Sequence, residues 1–280
     1  MRYERPDTLS EALALHAEGG LRIAAGCTDL FAATERKTLP GDVLDITGLS
    51  ELKGVAETAA SIRIGAAARW ADIARMQGPP GLAALKAAAI EVGGPQIQNA
   101  GTIGGNLCNA SPAADGAPPL LILDAEVELA SRRGRRHLAL SEFLLGPRKT
   151  ALQQDEILTA ILIPKASASA PSTWLKLGAR DSLVISIVMV AAKLEVRGAR
   201  ITGAALAVGA AGPVATRLPE VEAALTGETL DTAEIDDAMV AAALSPIDDP
   251  RADARYRAKA AAEALRRALA QLHPSRDRAA

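Results

Sequence analysis

Hydrophobic and polar positions follow two rhythms along this chain, one of period near 3.6 and one of period 2. Thr8 and Glu11 form a capping-box pattern, and Leu9, Ala12, Leu13 and His16 follow at helical spacing until Gly19-Gly20 ends the run. Residues 21–25 then predict a short buried strand that runs into the turn Gly26-Cys27-Thr28-Asp29-Leu30. Residues 43–46 predict a second strand, and Ile62 with Ile64 a third. Residues 70–76 and 82–92 predict helices, the second closed by Gly93-Gly94-Pro95. Residues 96–115 break both rhythms. They are rich in Gly, Asn, Ser and Thr, but Ile97, Ile103 and Leu107 punctuate them, so a packed irregular segment is expected.

Residues 127–130 and 137–140 flank Arg132, Arg133, Gly134, Arg135 and Arg136 and predict a hairpin with a solvated tip. Residues 157–163 predict a strand ending at Pro164. The Ala, Ser and Pro of residues 166–171 predict a linker. Beyond it, residues 174–177, 184–196 and 199–208 suggest an antiparallel sheet, with the apolar run 183–192 as a buried strand. Residues 218–225, 232–244 and 251–272 read as helices. Strands and helices come in runs rather than strict alternation, so the expected class is α+β, divided near residue 168.

Composition narrows the chemistry. The chain has 280 residues, 49% of them apolar, enough for a substantial core. Its net charge of -2 supplies no positive field for nucleic acid. Residues 1–14 lack the apolar stretch of a secretory signal, and no apolar run is long enough to span a bilayer, so a cytoplasmic location is the default expectation. The two cysteines, Cys27 and Cys108, cannot hold a Cys-ligated iron–sulfur cluster alone. His16, His137 and His273 are scattered and show no metal-ligand spacing, so no metal is expected on this chain.

Two glycine-containing loops carry the candidate chemistry: Ala25-Gly26-Cys27-Thr28-Asp29-Leu30 and Gly101-Thr102-Ile103-Gly104-Gly105-Asn106. Glycine lets bare backbone approach a phosphate and permits the positive φ that turns successive N–H groups inward. A hydroxyl sits in each loop, Thr28 in one and Thr102 in the other. Two such nests suit a pyrophosphate. Neither loop is a Walker A motif, and neither fits the Rossmann fingerprint.

The segment Gln96-Ile97-Gln98-Asn99-Ala100, the second loop and its continuation Leu107-Cys108-Asn109-Ala110-Ser111-Pro112-Ala113-Ala114-Asp115 together resemble the signature of the FAD-binding subunits of the xanthine dehydrogenase and carbon monoxide dehydrogenase family. The first loop resembles that family's other FAD loop. Ser245-Pro246-Ile247-Asp248-Asp249-Pro250-Arg251-Ala252 and Tyr256-Arg257 are similar to its C-terminal pattern. The resemblance implies a two-lobed FAD-binding domain of the vanillyl-alcohol oxidase-like type over residues 1–167, with lobes of about 1–55 and 56–167. A C-terminal domain over 168–280 follows, with a three-stranded sheet and helices. The paired glycine loops, with no histidine in either, predict that the FAD is bound non-covalently. Ile23, Ala24, Ala25, Gly26, Cys27, Thr28, Asp29 and Leu30 would line the pyrophosphate and ribityl side. Thr102, Gly104, Gly105 and Asn106 would close the other side, with Cys108 and Asn109 beside the cofactor. Asp115 would accept from sugar hydroxyls, Leu158 would touch the ring system and Lys176 would sit near the flavin's polar edge. The residues alone leave Lys176 open as a surface lysine, Trp174 as core packing, Asp29 as a helix cap and Cys27 as an inert thiol.

The resemblance further implies partners: a small subunit with [2Fe-2S] clusters and a large subunit with a molybdopterin cofactor, as a dimer of heterotrimers. FAD would pass their electrons to an external acceptor: NAD, a quinone, a carrier protein or oxygen. After Arg180 the family commonly has acidic residues before an Ile-Ala pair; Leu183 and Val184 stand there instead, which counts against NAD. A Cys-rich loop for a further cluster is excluded by the cysteine count. The rival readings are a self-contained flavin oxidase of the vanillyl-alcohol oxidase type and a non-catalytic flavin-binding module.

Overall fold

Three sheets of three or more strands follow one another along the chain, beside a two-stranded ribbon, in a computed structural model that describes residues 2–35 and 41–273. Residues 1 and 274–280, the outer ends of the two expected domains, lie outside the described residues. The first sheet is parallel, in the spatial order Tyr3–Glu4, Asp42–Asp45, Leu21–Ala24. Parallel strands need crossovers, and the helix Leu9–Ala17 supplies the one from Tyr3–Glu4 to Leu21–Ala24, past the strand between them. Its N-cap Thr8 accepts from the Glu11 N–H at 3.2 Å, while the Glu11 carboxylate accepts from the Asp7 N–H, one residue earlier than a strict capping box requires.

The second sheet has five antiparallel strands in the order Val55–Glu57, Ser61–Gly65, Ile157–Pro164, Glu126–Ser131, Gly134–Ala139. Ile157–Pro164 is central, which explains its nearly unbroken apolar run. The third sheet is antiparallel: Ser172–Leu177, Val188–Arg197, Arg200–Gly209, Thr216–Arg217. It has four strands, not the expected three. The added edge strand is two residues long and carries no alternation; Arg217 is fixed there by Glu222 at 2.7 Å. One face of this sheet, with Trp174, Met189, Ala191 and Ala207, joins the core of the second sheet. The other face, with Val188, Val190, Leu206 and Val208, packs in a separate core with the helix Ala254–Gln271. Covering both faces is why residues 188–194 show no alternation.

Three further expectations need correction. Residues 96–115 hold two short helices, Pro95–Ala100 and Ile103–Asn109. Pro at the first turn and the Thr102 N-cap start them despite poor periodicity. The run 183–192 is not one buried strand. Leu183 and Ile185 are exposed, Leu183 has φ of 54°, and the strand begins at Val188. Residues 166–171 are not a loose linker: Ala168 is fully buried, and its carbonyl accepts from the Gly81 N–H at 2.9 Å. The arginine tip is solvated as expected, with Arg132, Arg133 and Arg135 exposed, and it also carries ion pairs. Arg133 pairs with Asp155, Arg135 reaches Glu128 at 3.1 Å, and Arg136 reaches Glu156 at 2.7 Å.

Candidate cofactor site

The two glycine loops meet. A Cβ on Gly26 would lie 2.2 Å from the Ala100 carbonyl oxygen, and one on Gly101 would lie 3.5 Å from the Thr28 hydroxyl. The loops, with the strand end at Ile157 and Leu158, enclose a cavity of about 410 Å³. That volume falls in the range of about 300–1,000 Å³ usual for cofactor pockets. Ile23, Ala25, Gly26, Cys27, Thr28, Asp29 and Leu30 line it from the first loop. Thr102, Gly104, Gly105, Asn106, Cys108 and Asn109 line it from the second, and Leu158 from the central strand. Ala24 is buried behind the wall.

The glycines do not act as expected. Gly26, Gly101, Gly104 and Gly105 are absent from the positive-φ residues; Cys27 is the one that turns, at φ of 58°. The Gly104 N–H donates to the Ala66 carbonyl at 2.9 Å and the Ile103 N–H to Ala68 at 3.0 Å. The Gly105 N–H donates to the Thr102 hydroxyl oxygen at 3.1 Å. The second loop is therefore not an open nest, because its own fold consumes these donors. Gly104 is needed for packing: a Cβ there would meet Ala66 at 2.7 Å. The first loop differs. The helix Thr28–Ala32 starts at Cys27 with no side-chain cap, and an uncapped helix start presents unpaired N–H groups. Asp29 lies within that first turn and is not the cap.

Two features suit a polar cofactor. The Asn106 side-chain oxygen is buried without a hydrogen-bond partner, and the Asn106 residue lines the cavity. Buried polar atoms normally find partners, and this oxygen, which lies beside Gly116, has none within the described residues. Arg148, at φ of 58°, also lines the cavity and donates to the Asn109 side-chain oxygen. The sequence reading missed Arg148, which no motif marks. Only the two-stranded ribbon Leu144–Gly146 and Lys149–Thr150 delivers it there. Trp70, Val92, Ile97 and Leu152 were missed too, being ordinary apolar residues in sequence.

Both cysteines are protonated near neutrality. Burial pushes the Cys27 thiol up. Cys108 lines the cavity, and desolvation pushes its thiol up.

Asp115 and Lys176 do not line the cavity. They meet each other, with Lys176 Nζ 3.2 Å from Asp115 Oδ1 and both side chains largely buried. Trp174 is core, 6% exposed, and Lys176 Nζ lies 6.0 Å from its ring centroid. Among the described residues, no group of three or more His, Cys, Asp or Glu is placed to hold a metal, and no helix is long and apolar enough to cross a membrane.

Comparison with known proteins agrees with this architecture. Residues 1–166 match the FAD binding domain in molybdopterin dehydrogenase, and residues 174–272 match the CO dehydrogenase flavoprotein C-terminal domain. The chain is 36% identical to the xanthine dehydrogenase FAD-binding subunit of Escherichia coli over 226 residues, covering 79% of this chain and 77% of that one. It is 32% identical to the nicotine 6-hydroxylase medium subunit of Paenarthrobacter nicotinovorans, covering 97% and 96%. Among solved structures, a Cu,Mo-CO dehydrogenase chain superposes with a TM-score of 0.89 at 27% identity, covering 97% of each. The chain belongs to the family of FAD-binding medium subunits of molybdenum hydroxylases, the xanthine and CO dehydrogenase group, and is an oxidoreductase subunit of that family.

Proposed function

We propose that this chain binds FAD non-covalently in the cavity between its two loops and relays electrons within a multi-subunit molybdenum hydroxylase. In this reading a small partner with [2Fe-2S] clusters delivers the electrons, a large partner with a molybdopterin cofactor oxidises the substrate, and an external acceptor removes the electrons. The relatives' subunit character and the two family matches support it. The observation that carries the cofactor assignment is the cavity itself, lined by residues of both loops, Asn106 among them.

FAD supplies the ability to exchange single electrons on one side and pairs on the other. The chain's residues hold it. The uncapped N–H groups at Thr28 and its neighbours receive phosphate oxygens, where the positive end of the helix favours an anion. Arg148 adds a cation on the same cavity. Asn106 adds a polar side chain to the same wall. Leu158 and Ile157 present apolar surface to a ring and exclude water. The protonated thiols of Cys27 and Cys108 are poor nucleophiles, which favours non-covalent binding. We place the domain division near residue 168, between the strands Ile157–Pro164 and Ser172–Leu177.

The test is stopped-flow absorbance at the flavin band. Substrate should bleach the flavin only when iron–sulfur and molybdenum partners are present. Bleaching by the lone chain would overturn the relay and favour a self-contained oxidase.

A further inference from the structure

Residues 245–252 and the pair Tyr256-Arg257 fold into one device around a buried guanidinium. Asp253 caps the helix Ala254–Gln271 by accepting from the Tyr256 N–H at 2.6 Å, and Asp248 accepts from the Ala254 N–H at 2.6 Å. This start leaves Arg257 in the first turns of the helix, 2% exposed. Its Nη2 donates to Asp249 Oδ1 at 2.5 Å, and the same oxygen accepts from the Arg251 N–H at 2.8 Å, which fixes the carboxylate. Its Nη1 donates to two carbonyls, that of Ile187 at 2.6 Å and that of Ala210 at 2.7 Å. The ladder between the strands Val188–Arg197 and Arg200–Gly209 ends at the pair Met189 and Gly209, so both carbonyls lie just beyond it, in buried residues. Buried carbonyls need donors, and Arg257 supplies them. Ala210 has φ of 62°, a conformation that costs a non-glycine residue energy and persists only where its surroundings enforce it.

The Ala210 turn leads back to the cofactor cavity. Its N–H donates to the Pro112 carbonyl at 3.0 Å. Two residues before Pro112, the Ala110 carbonyl accepts from the Arg148 N–H at 2.9 Å, and both Arg148 and Asn109 line the cavity. Residues 110–112 are thus tied to the C-terminal domain at one end and to Arg148 at the other. Resting on the FAD reading, we propose that Arg257 is a positioning residue for the cofactor site: by holding the Ala210 turn it sets residues 110–112, and through them Asn109 and Arg148, from the C-terminal domain. One side chain must meet two carbonyls and a carboxylate at once, which the planar fork of an arginine does and a single ammonium on a flexible stem does less well. The turn over residues 245–252 then has a role beyond stability, because it aims Asp249 at the guanidinium that reaches the end of the sheet.

The experiment uses the full chain, stripped of flavin and titrated with FAD, in the variants Arg257→Met, Arg257→Lys, Arg148→Met and Arg148→Met combined with Arg257→Lys. Leu265→Ala is the control: it empties a fully buried position on the same helix, about two turns beyond Arg257, and lowers the melting temperature by leaving a cavity. Deuterium uptake is measured alongside. The expected result is FAD binding weakened about tenfold by Arg257→Met, a typical size for coupling between separate sites, with a smaller loss in Arg257→Lys. Uptake should rise at residues 110–114 in both. Leu265→Ala should melt at least as early as Arg257→Lys and still bind FAD like the unaltered chain. The combined variant should lose less than the sum of its two single losses, because both changes act on one hydrogen-bonded segment. Unchanged affinity in both Arg257 variants would reduce Arg257 to a tie of the fold and overturn the proposal. Equal weakening by Leu265→Ala would overturn it too, since any loosening of the domain would then suffice, and fully additive losses would sever Arg257 from Arg148 with the same effect. If Arg257→Met does not fold, Arg257→Lys set against Leu265→Ala decides. Failure of the unaltered chain to bind FAD would strike the functional reading instead, while uptake at residues 110–114 would still decide whether Arg257 holds that segment.

Discussion

Replacing Gly26 by Ala tests whether contact between the two loops builds the cavity. The new Cβ would sit 2.2 Å from the Ala100 carbonyl oxygen and 2.7 Å from the Gly101 Cα, both backbone atoms that no rotamer change can remove. Ordinary contact begins at 3.4 Å, so the loops must part by roughly 1 Å. Overpacking of this kind costs about 1–3 kcal/mol, and the melting temperature of a protein this large falls by roughly 2–12 °C. The same displacement carries hydrogen bonds that span the cavity out of range. Losing two of them weakens FAD binding by roughly ten- to a hundredfold. Gly48→Ala is the control: its Cβ finds nothing nearer than 3.5 Å, and Gly48 is not a positive-φ residue. The assay is thermal unfolding with and without FAD, together with a fluorescence titration of FAD. If Gly26→Ala binds FAD like the unaltered chain and melts within a degree of it, the loops do not meet as described.

Further outcomes follow from other parts of the molecule. Denaturation in acid should release all flavin colour into the supernatant, and colour remaining with the precipitate would contradict non-covalent binding. Arg257 is 2% exposed and donates to the Ile187 and Ala210 carbonyls at 2.6 and 2.7 Å and to Asp249 at 2.5 Å; Arg257→Met should cost about 3–5 kcal/mol in urea unfolding, and a loss below 1 kcal/mol would argue against its role as a tie. The Glu156 carboxylate, bound by Arg136 at 2.7 and 2.9 Å, is held below the usual carboxylate range chiefly by that pairing. Its stabilisation is therefore full above the unfolded value of about 4.3 and is lost as pH falls through the lower folded value; Glu156→Gln should flatten the acid limb of a stability-versus-pH curve, and an unchanged limb would refute the assignment.

Local signals determined much of this protein. The Thr8 cap, the Gly19-Gly20 stop, the arginine-tipped hairpin and the paired strands Val188–Arg197 and Arg200–Gly209 all depend on neighbours in sequence, so pattern alone exposed them. The two loops were legible as a site because their glycines and hydroxyls cluster within a few residues. What the glycines do was not legible. Gly26 and Gly104 are small because the backbone of residues 100–101 and Ala66 passes against them, and that requirement comes from segments distant in sequence. Cys27 takes the left-handed turn that glycine was expected to take. The helix Ile103–Asn109 lacks periodicity because one side faces the cavity and the other is buried, so no polar face remains to mark it. Arg148 becomes a functional candidate, and Asp115 and Lys176 become a pair, only after the sheets pack. Sequence spacing carries the conformation of a segment, whereas a cavity is a relation between segments, and only their packing sets which side chains face it.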